Sequence, residues 1–586
     1  YVNFSDNSDT TSTTLGKDSS GNGNNWTPAN LSVSAGIGND SFIDTPTNNF
    51  MNLMSDGRLN CTISEGGMKM VTTGSNVTSY SNFQIPTSGK WYFEVKMTTS
   101  SSTMFAFDYK PRINVAHNLP GDDSDFVVYP YAGTYEIYYG GSSVQSGSFG
   151  HGAGTVYQIW FDRDNHTFKV VRDDNAESFT WNIPTALHAY PLSVGRCHTT
   201  TWGSGTWEWY FGGNGFNYDI PDGYATLSTA NLPEPTIKDP SKHYNTVTYT
   251  GTATGSDTQT ISGVGFAPDL TWIKQRNSSY SHMLLDTVRG AGKYLESNSS
   301  NVEDDDNANG NLTSFTSDGF VTTRGSSNGG RVNENSSTYV SWNWKASDSA
   351  AAANTDGTID STVSVNTTAG FSIGTYAGTT SAGTIGHGLG AVPKFILIKN
   401  LDSGNSWAVY HDSIGADQQL LLNANNATSS DSNGFNEVPT STVINVGSGA
   451  QMDTNQSGDH VFYAFSEVQG YSRFGSYTGN NDSDGHFIYT GFRPALLWIR
   501  RTDSGDNWAV YDEKRSDSGL DEKSGNRIDK HLRPDSGQAE VDQSATALSF
   551  HSNGVKFHGS NGQVNGTGTY IYAAWAAAPF KYANAR

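Results

Sequence analysis

Two cysteines, Cys61 and Cys197, are all that 586 residues contain. They can close one disulfide at most, so a disulfide framework is excluded, and no CxxC metal pattern exists. Positive charge is scarce too. Lys and Arg number 35 against 57 Asp and Glu, a net charge of −22. That balance argues against nucleic acid and anionic membranes as partners, because phosphate neutralisation needs clustered cations. No apolar run approaches the ~20 residues that a membrane-crossing helix requires, so no membrane insertion is expected. An apolar leader is missing and the chain opens at Tyr1 rather than Met, so an upstream part is expected to be absent or processed away.

Charged residues make up 16% and hydrophobic residues 35%, a combination that alone would suggest disorder. Aromatics overrule it: they reach 12%, with 14 Trp and 29 Tyr, alongside 64 Gly. Many aromatic strands punctuated by Gly, Asn, Ser and Asp turns predict an all-β protein of tandem antiparallel β-sandwich domains. The length exceeds what one core holds, so roughly three to five domains are expected.

Residues 1–50 show no sustained period and read as an extended arm that needs another surface to order it. Residues 51–240 read as short strands forming one sandwich. GKWYFEVKM (Gly89–Met97) alternates as a half-buried strand, which leaves Glu94 pointing outward. FDRDNHTF carries a turn, and YPLSVGRCHTTTWGSGTWEWYFGG is another strand pair. The prolines of NLPEPTIKDP mark a boundary.

The remainder repeats itself three times, at 241–350, 366–470 and 471–586, with a linker at 351–365. The copies align as GFAPDLTWIKQRNSSYSHMLLD, GLGAVPKFILIKNLDSGNSWAVYH and GFRPALLWIRRTDSGDNWAVYD. Tyr-x-Gly precedes each (Tyr249–Gly251, Tyr376–Gly378, Tyr477–Gly479), and YVSWNW, HVFYAF or YIYAAW closes each. The aligned strand is apolar on both faces. Leu270, Phe395 and Leu496 begin one face, Trp272, Leu397 and Trp498 continue it, and Lys274, Lys399 and Arg500 end it. Ile273, Ile398 and Ile499 lie on the other. A strand of a lone sandwich keeps one polar side, so this one is covered by a neighbouring domain or another subunit. The terminal Lys or Arg is expected as a solvated rim charge. Asp-Ser-Gly then makes the turn in the second and third copies. His282 stands where Trp407 and Trp508 begin the return strand, and Arg501 stands where the sister copies have Gln275 and Asn400.

GKWYFEV, FDRDNHTF and the YPLSVG…WEWYFG pair resemble the SPRY-type sandwich, a relative of concanavalin-like lectins. The GYATLSTANLPEPTI junction, the threefold GFxPxxxWIK repeat and the opening NFSDNSDTTSTTLGKDSSGNGNNWTP are similar to tail-fibre or tail-associated virion proteins of tailed, marine-type bacteriophages. This resemblance implies a non-enzymatic structural protein at the virion surface, outside the cell. It would form a homotrimer, bind other tail or baseplate proteins, and touch host-surface glycan or envelope protein. A capsid- or sheath-decorating protein and a polysaccharide depolymerase are the alternatives.

Glycoside hydrolysis needs two facing carboxylates, and neither outward Glu94 nor the turn pair Asp162 and Asp164 supplies them. No G-x-S-x-G or HExxH occurs, and His151, His387, His411 and His551 are expected as solvated turn residues. No catalytic residue is assigned. Glycan contact is assigned to Trp202 and Trp207 about the Gly203–Gly205 turn and to Tyr129 and Tyr131, since exposed aromatics stack on sugar faces. No cofactor is expected, with one structural calcium site considered: Asn480, Asp482 and Asp484 alternate oxygen ligands before a Gly, without the closing Glu of an EF-hand. DDSD (Asp122–Asp125) and EDDDN (Glu303–Asn307) are lesser acidic loops.

Overall fold

The computed structural model describes residues 6–34, 37–41, 48–55, 58, 60–72, 77–99, 105–108, 125–131, 133–173, 176–198, 205–254, 257–327, 330–431, 433–447, 452–515 and 527–583. They divide into two compact units, Tyr1–Glu234 and Pro235–Arg586. The protein is all-β, built from antiparallel sheets stacked as sandwiches.

In the first unit one sheet runs Cys61–Ser64, Lys69–Thr72, Gly205–Tyr210, Lys90–Met97, Val156–Asp162, Thr167–Arg172, Glu177–Asn182. The facing sheet runs Val77–Ile85, Leu192–His198, Phe105–Asp108, Asp125–Tyr131, Thr134–Tyr139, Ser142–Ser148. Aromatic rings join the layers. Phe107 of the second sheet lies 4.8 Å from Phe126 beside it and 4.9 Å from Phe161 of the first. Part of the 1–50 segment lies on this sandwich: Phe50 bridges Ser228, Met51 N–H donates to Leu227, and Ile37 is buried with Met68 and Tyr210. Lys90–Met97 is not half-buried as its alternation predicts. Tyr92 and Glu94 are as buried as Trp91 and Phe93, because Ala225–Thr226 pairs along the strand and the loop carrying Phe216 covers its outer face.

In the second unit each repeat carries the same main sheet. Its order in repeat 1 is Tyr244–Thr250, Thr338–Trp344, Leu270–Gln275, Met283–Asp286. Repeat 3 has Ser472–Thr478, Thr569–Pro579, Phe492–Arg501, Ala509–Asp512. Repeat 2 has Phe371–Gly378, Gly458–Ser466, Pro393–Asn400, Ala408–His411, extended at its edge by Ser361–Asn366 and Ala352–Asn354. Residues 351–365 are therefore strand and hairpin rather than a linker. The register is identical in all three copies: Leu270 faces Trp344, Phe395 faces Phe465, and Leu496 faces Trp575.

The doubly apolar strand has its explanation here. In repeats 1 and 2 its outer face, with Ile273 or Ile396 and Ile398, fills the sandwich's own core, while in repeat 3 Leu497 and Ile499 belong to a core continuous with the shared one. The other face meets the sister repeats in one hydrophobic cluster that runs through all three. Trp344, Phe465 and Trp575, equivalent by register, close a triangle with centroid separations of 6.2, 5.2 and 5.6 Å. Trp272 and Trp498 meet edge-to-face at 4.9 Å beside it. The covering neighbour is thus the same chain, and the three repeats act as an internal trimer.

The Tyr-x-Gly markers follow from backbone packing. Tyr249 Oη donates to Val332 O at 2.9 Å, Tyr477 Oη to Val564 O at 2.5 Å, and Tyr376 Oη to Thr454 O. The next residue, Asn333, Asn455 or Asn565, accepts the backbone N–H just after each marker glycine. A Cβ on Gly378 would stand 1.7 Å from Gln456 O, and one on Gly251 2.2 Å from Glu334 O. Gly378→Ala is accordingly expected to cost about 1–3 kcal/mol through forced backbone displacement, read as a lower denaturant midpoint at unchanged slope.

Candidate functional site

The repeats are joined cyclically by polar contacts that the pattern of the strands creates three times. The head of each return strand is a ring with an N–H, buried against the next repeat. Trp407 Nε1 donates to Glu296 O of repeat 1 at 2.9 Å, and Trp508 Nε1 to Leu421 O of repeat 2 at 3.1 Å. His282 performs the same task toward repeat 3. Its Nδ1 accepts from Trp272 Nε1 at 2.9 Å, which leaves the proton on Nε2 to donate to Arg533 O at 3.0 Å. Burial holds this imidazole neutral, its pKa well below the ordinary value. A second ring of backbone bonds joins the same pairs of repeats with donor and acceptor exchanged: Glu540 N–H to Arg276 O, Glu303 N–H to Leu401 O, and Thr428 N–H to Thr502 O, at 2.7–2.9 Å.

Deeper in, Asp286 and Asp512 end the return strands of repeats 1 and 3. Each forms a fully buried ion pair with the arginine three residues on, Arg289 at 2.6 Å and Arg515 at 2.5 Å. Each aspartate also accepts from a sister repeat, Asp286 from Tyr463 Oη at 2.7 Å and Asp512 from Trp342 Nε1 at 2.9 Å. Repeat 2 has His411 at this position and the apolar Ile414 in place of the arginine. His411 Nδ1 accepts from Ser413 N–H, so Nε2–H donates to Tyr572 O of repeat 3 at 3.1 Å. Burial pushes its pKa down to about 4.

The strand-end cations are not solvated. Lys274, Lys399 and Arg500 are all 0% exposed, because the sister repeat closes over the rim. The lysines thread back under their own turns, Lys274 Nζ donating to Gln275 O at 2.6 Å and Ser278 O at 3.2 Å, Lys399 Nζ to Asn400 O at 2.6 Å and Ser403 O at 3.1 Å. Burial lowers them to about 7 and about 8. Arg500 instead reaches the Asn426 carbonyl of repeat 2.

Several candidate residues have structural posts. Trp207 is 0% exposed in the sandwich core and offers no face to a sugar. Trp202 lies outside the described residues, as do residues 122–124 of the DDSD run. The side chain of Cys197, and with it any pairing to Cys61, is also outside them. Glu94 is buried and saturated by Tyr92 Oη, Asn217 N–H and Nδ2, and Tyr218 N–H at 2.7–2.9 Å; its role is to pin the covering loop. Asp162 caps its turn through Asn165 and pairs with Lys90 at 3.0 Å. His387 and His411 are buried rather than solvated, whereas His151 and His551 are part-exposed.

Asn480 and Asp482 make successive Asx turns, and Asp484 follows them. Asn480 Oδ1 accepts from Asp482 N–H and Asn565 Nδ2, Asp482 Oδ1 accepts from Asp484 N–H, and Lys556 Nζ sits 2.6 Å from Asp484 Oδ1. A lysine thus pairs with the last of the three, and no group of three or more His, Cys, Asp or Glu placed to hold a metal ion exists among the described residues. Glu303 is spent on Arg289 and Lys293. Arg501 bridges Asp503 at 2.9 Å and Asp506 at 3.4 Å above the Tyr570 ring, binding the turn of repeat 3 to its own loop.

A group of aromatic side chains lies on the outer face of the first unit's sheet Val77–Ile85 to Ser142–Ser148, where Ala106, Val127 and Tyr129 are buried and Tyr131, Glu136 and Tyr138 are partly exposed. Tyr129 and Tyr131 stack at 4.4 Å and 16°. Tyr129 is only 4% exposed and serves as the backing ring, while Tyr131 and Tyr138 are half-buried. Glu136 lies between them, accepting from Tyr131 Oη at 3.4 Å and from Tyr138 Oη. Burial, aided by this carboxylate, raises the Tyr138 phenol to about 12. Two ring faces and a carboxylate form a small amphipathic platform. Elsewhere, a cleft of about 460 Å³ between repeats 1 and 2 is lined by Lys293, Glu303, Asp360, Asp402 and Asp459 and lacks such a platform.

A family model for a domain of unknown function, DUF7483, matches residues 239–579. The chain belongs to the DUF7483 family. The match spans all three repeats as one domain, as the shared hydrophobic cluster does. No curated protein matches the chain. Among solved structures, the SPRY domain of human HERC1 is similar at 11% identity and a TM-score of 0.23, covering 27% of this chain and 97% of that one. Arcelin-5, a lectin-like defence protein from Phaseolus vulgaris, is similar at 13% identity and a TM-score of 0.21, covering 28% and 96%. Both are β-sandwich neighbours and decide nothing beyond that.

The Asp-x-x-Arg pairs escaped the sequence reading, although LLDTVR and VYDEKR stand at one offset from their prolines. Repeat 2 breaks the pattern with YHDSI, which hides it.

Proposed function

We propose that this DUF7483 protein is a non-catalytic structural protein at the surface of a tailed-bacteriophage virion, a tail fibre or tail-associated adhesin that contacts host-surface glycan. The supporting observation is the tyrosine platform. Tyr131 and Tyr138 offer ring faces for the C–H face of a sugar, and Glu136 between them accepts hydroxyl donors. Asp286, Asp512, His282 and His411, all buried in the DUF7483 domain, serve joints between repeats, which suits a rigid mechanical support. Other tail or baseplate proteins and two further copies of the chain are the partners this reading implies, and a homotrimer would multiply weak contacts into avidity.

Calorimetric titration of the purified protein into host envelope polysaccharide tests the site. Tyr131→Ala is expected to weaken binding by about tenfold or more, an effect of about 1.4 kcal/mol, and Glu136→Gln by a smaller factor. Unchanged affinity in both variants, or reducing ends released by the wild type, would overturn the reading. Light scattering checks the assembly: a solution mass equal to the 63.1 kDa of one chain contradicts the homotrimer.

A further inference from the structure

Each repeat caps the head of its return strand from the segment that follows its partner leucine. Leu295, Leu420 and Leu532 occupy one place, pairing with Leu284, Val409 and Val510. Three residues on stand Asn298, Asn423 and Asp535. Asn298 Oδ1 accepts His282 N–H at 2.9 Å, and Asn423 Oδ1 accepts Trp407 N–H at 3.0 Å. Repeat 3 alone has an ionisable group in this post, and alone has arginine where the sisters have a lysine under the turn.

Asp535 and Arg500 are mismatched as they stand. Both carboxylate oxygens of Asp535 are buried without a partner at hydrogen-bond geometry, as are Nε and Nη1 of Arg500 and Nε of Arg533. Arg500 and Arg533 are the charged groups that face Asp535, the backbone N–H of Trp508 is beside it, and Asp506 faces Arg500 from the turn. Arg500 meanwhile holds the Asn426 carbonyl of repeat 2.

We propose that Asp535 makes this third cap a proton-operated latch between repeats 2 and 3. Protonated, the carboxyl is isosteric with the sisters' asparagine and caps Trp508 N–H. Ionised, it releases its proton to solvent and draws Arg500 from the Asn426 carbonyl, which loosens the joint. Burial supports a working range near neutrality, raising Asp535 from the ordinary carboxylate value to about 7 despite both arginines. The sign follows from linkage. A carboxyl whose folded pKa is raised binds its proton more tightly folded than unfolded, so its stabilisation is complete below the unfolded pKa and is lost as pH rises through the folded one.

Hydrogen exchange of the full chain at about pH 5.5 and about pH 8.5, corrected for intrinsic rates, reads the latch. Peptides containing the Trp508 and Thr428 amides are expected to lose about tenfold or more of their protection at the higher pH, the equivalent of one pKa unit. Those containing the asparagine-capped His282 and Trp407 amides should show no such loss, since the buried lysines of those repeats, lowered to about 7 and about 8, shed their charge over the same range and favour the fold as pH rises. In Asp535→Asn the Trp508 amide should show no such loss either. Equal pH dependence at all three heads in the wild type overturns the latch whether or not the variant folds, and so does a variant that keeps the wild-type dependence at Trp508.

Discussion

Trp575→Ala is expected to destabilise the 235–586 unit by about 3–5 kcal/mol, the cost of emptying a buried aromatic site, and to do so in all three repeats together. Trp575 is 1% exposed and touches rings from every copy: Trp344 of repeat 1 at 5.6 Å, Phe465 of repeat 2 at 5.2 Å, and Phe474 and Trp498 of its own repeat at 5.6 and 6.3 Å. Edge-to-face aromatic pairs add about 0.5–1.5 kcal/mol each beyond their buried area, and several would be lost at once. Ile444→Ala provides the contrast. It lies in the outer core of repeat 2 alone and should cost about 2–5 kcal/mol while loosening that repeat first. Denaturant unfolding followed by hydrogen exchange on peptides from each repeat separates the two patterns. If repeats 1 and 2 keep their midpoints in Trp575→Ala, the copies are independent domains and the shared core is not cooperative.

That cooperativity was half legible in the sequence. Spacing alone gave the repeats, the strand faces and the need for a cover over Leu270, Phe395 and Leu496, since face and register are local properties of a period-two strand. Where the cover came from was not local. Whether a sister repeat or another subunit supplies it depends on how the chain returns, and the sequence pattern is the same for both. The same blindness explains the misplaced charges. Lys274, Lys399, Arg500, His387, His411 and Glu94 look like rim or surface groups because ionisable residues are rarely fully buried. All but Arg500, which is satisfied only in part, find their missing partners in a neighbouring segment: turn carbonyls for the lysines, backbone carbonyls for the histidines, and the Asn217–Tyr218 amides for Glu94. The tyrosine platform stands between these cases. Alternation placed Tyr129 and Tyr131 on one face, but their neighbours Tyr138 and Glu136 come from the adjacent strand and are set by register.

The difference among the three return-strand ends predicts the second large effect. Asp512→Ala is expected to cost about 3–5 kcal/mol, because it leaves Arg515 buried with its nearest counter-charge removed. Trp342 Nε1 loses its acceptor as well. Glu540, 2.9 Å from Arg515, keeps part of the compensation but also serves Arg276 of repeat 1 at 2.9 Å. Repeat 2 shows that the ion pair is one solution rather than a requirement: a neutral His411 with Ile414 occupies the same post and still reaches the neighbouring repeat. The double variant Asp512→His with Arg515→Ile should therefore recover at least half of the loss, since removing both buried charges avoids the unpaired one. The reverse change tests the same logic from the other side. His411→Asp alone introduces a buried carboxylate with Ile414 where an arginine is needed, and should destabilise by about as much as Asp512→Ala. A double-mutant cycle on denaturant midpoints measures the coupling between positions 512 and 515. If the double variant is no more stable than Asp512→Ala alone, the pair is required in its own right and the equivalence of the three posts fails.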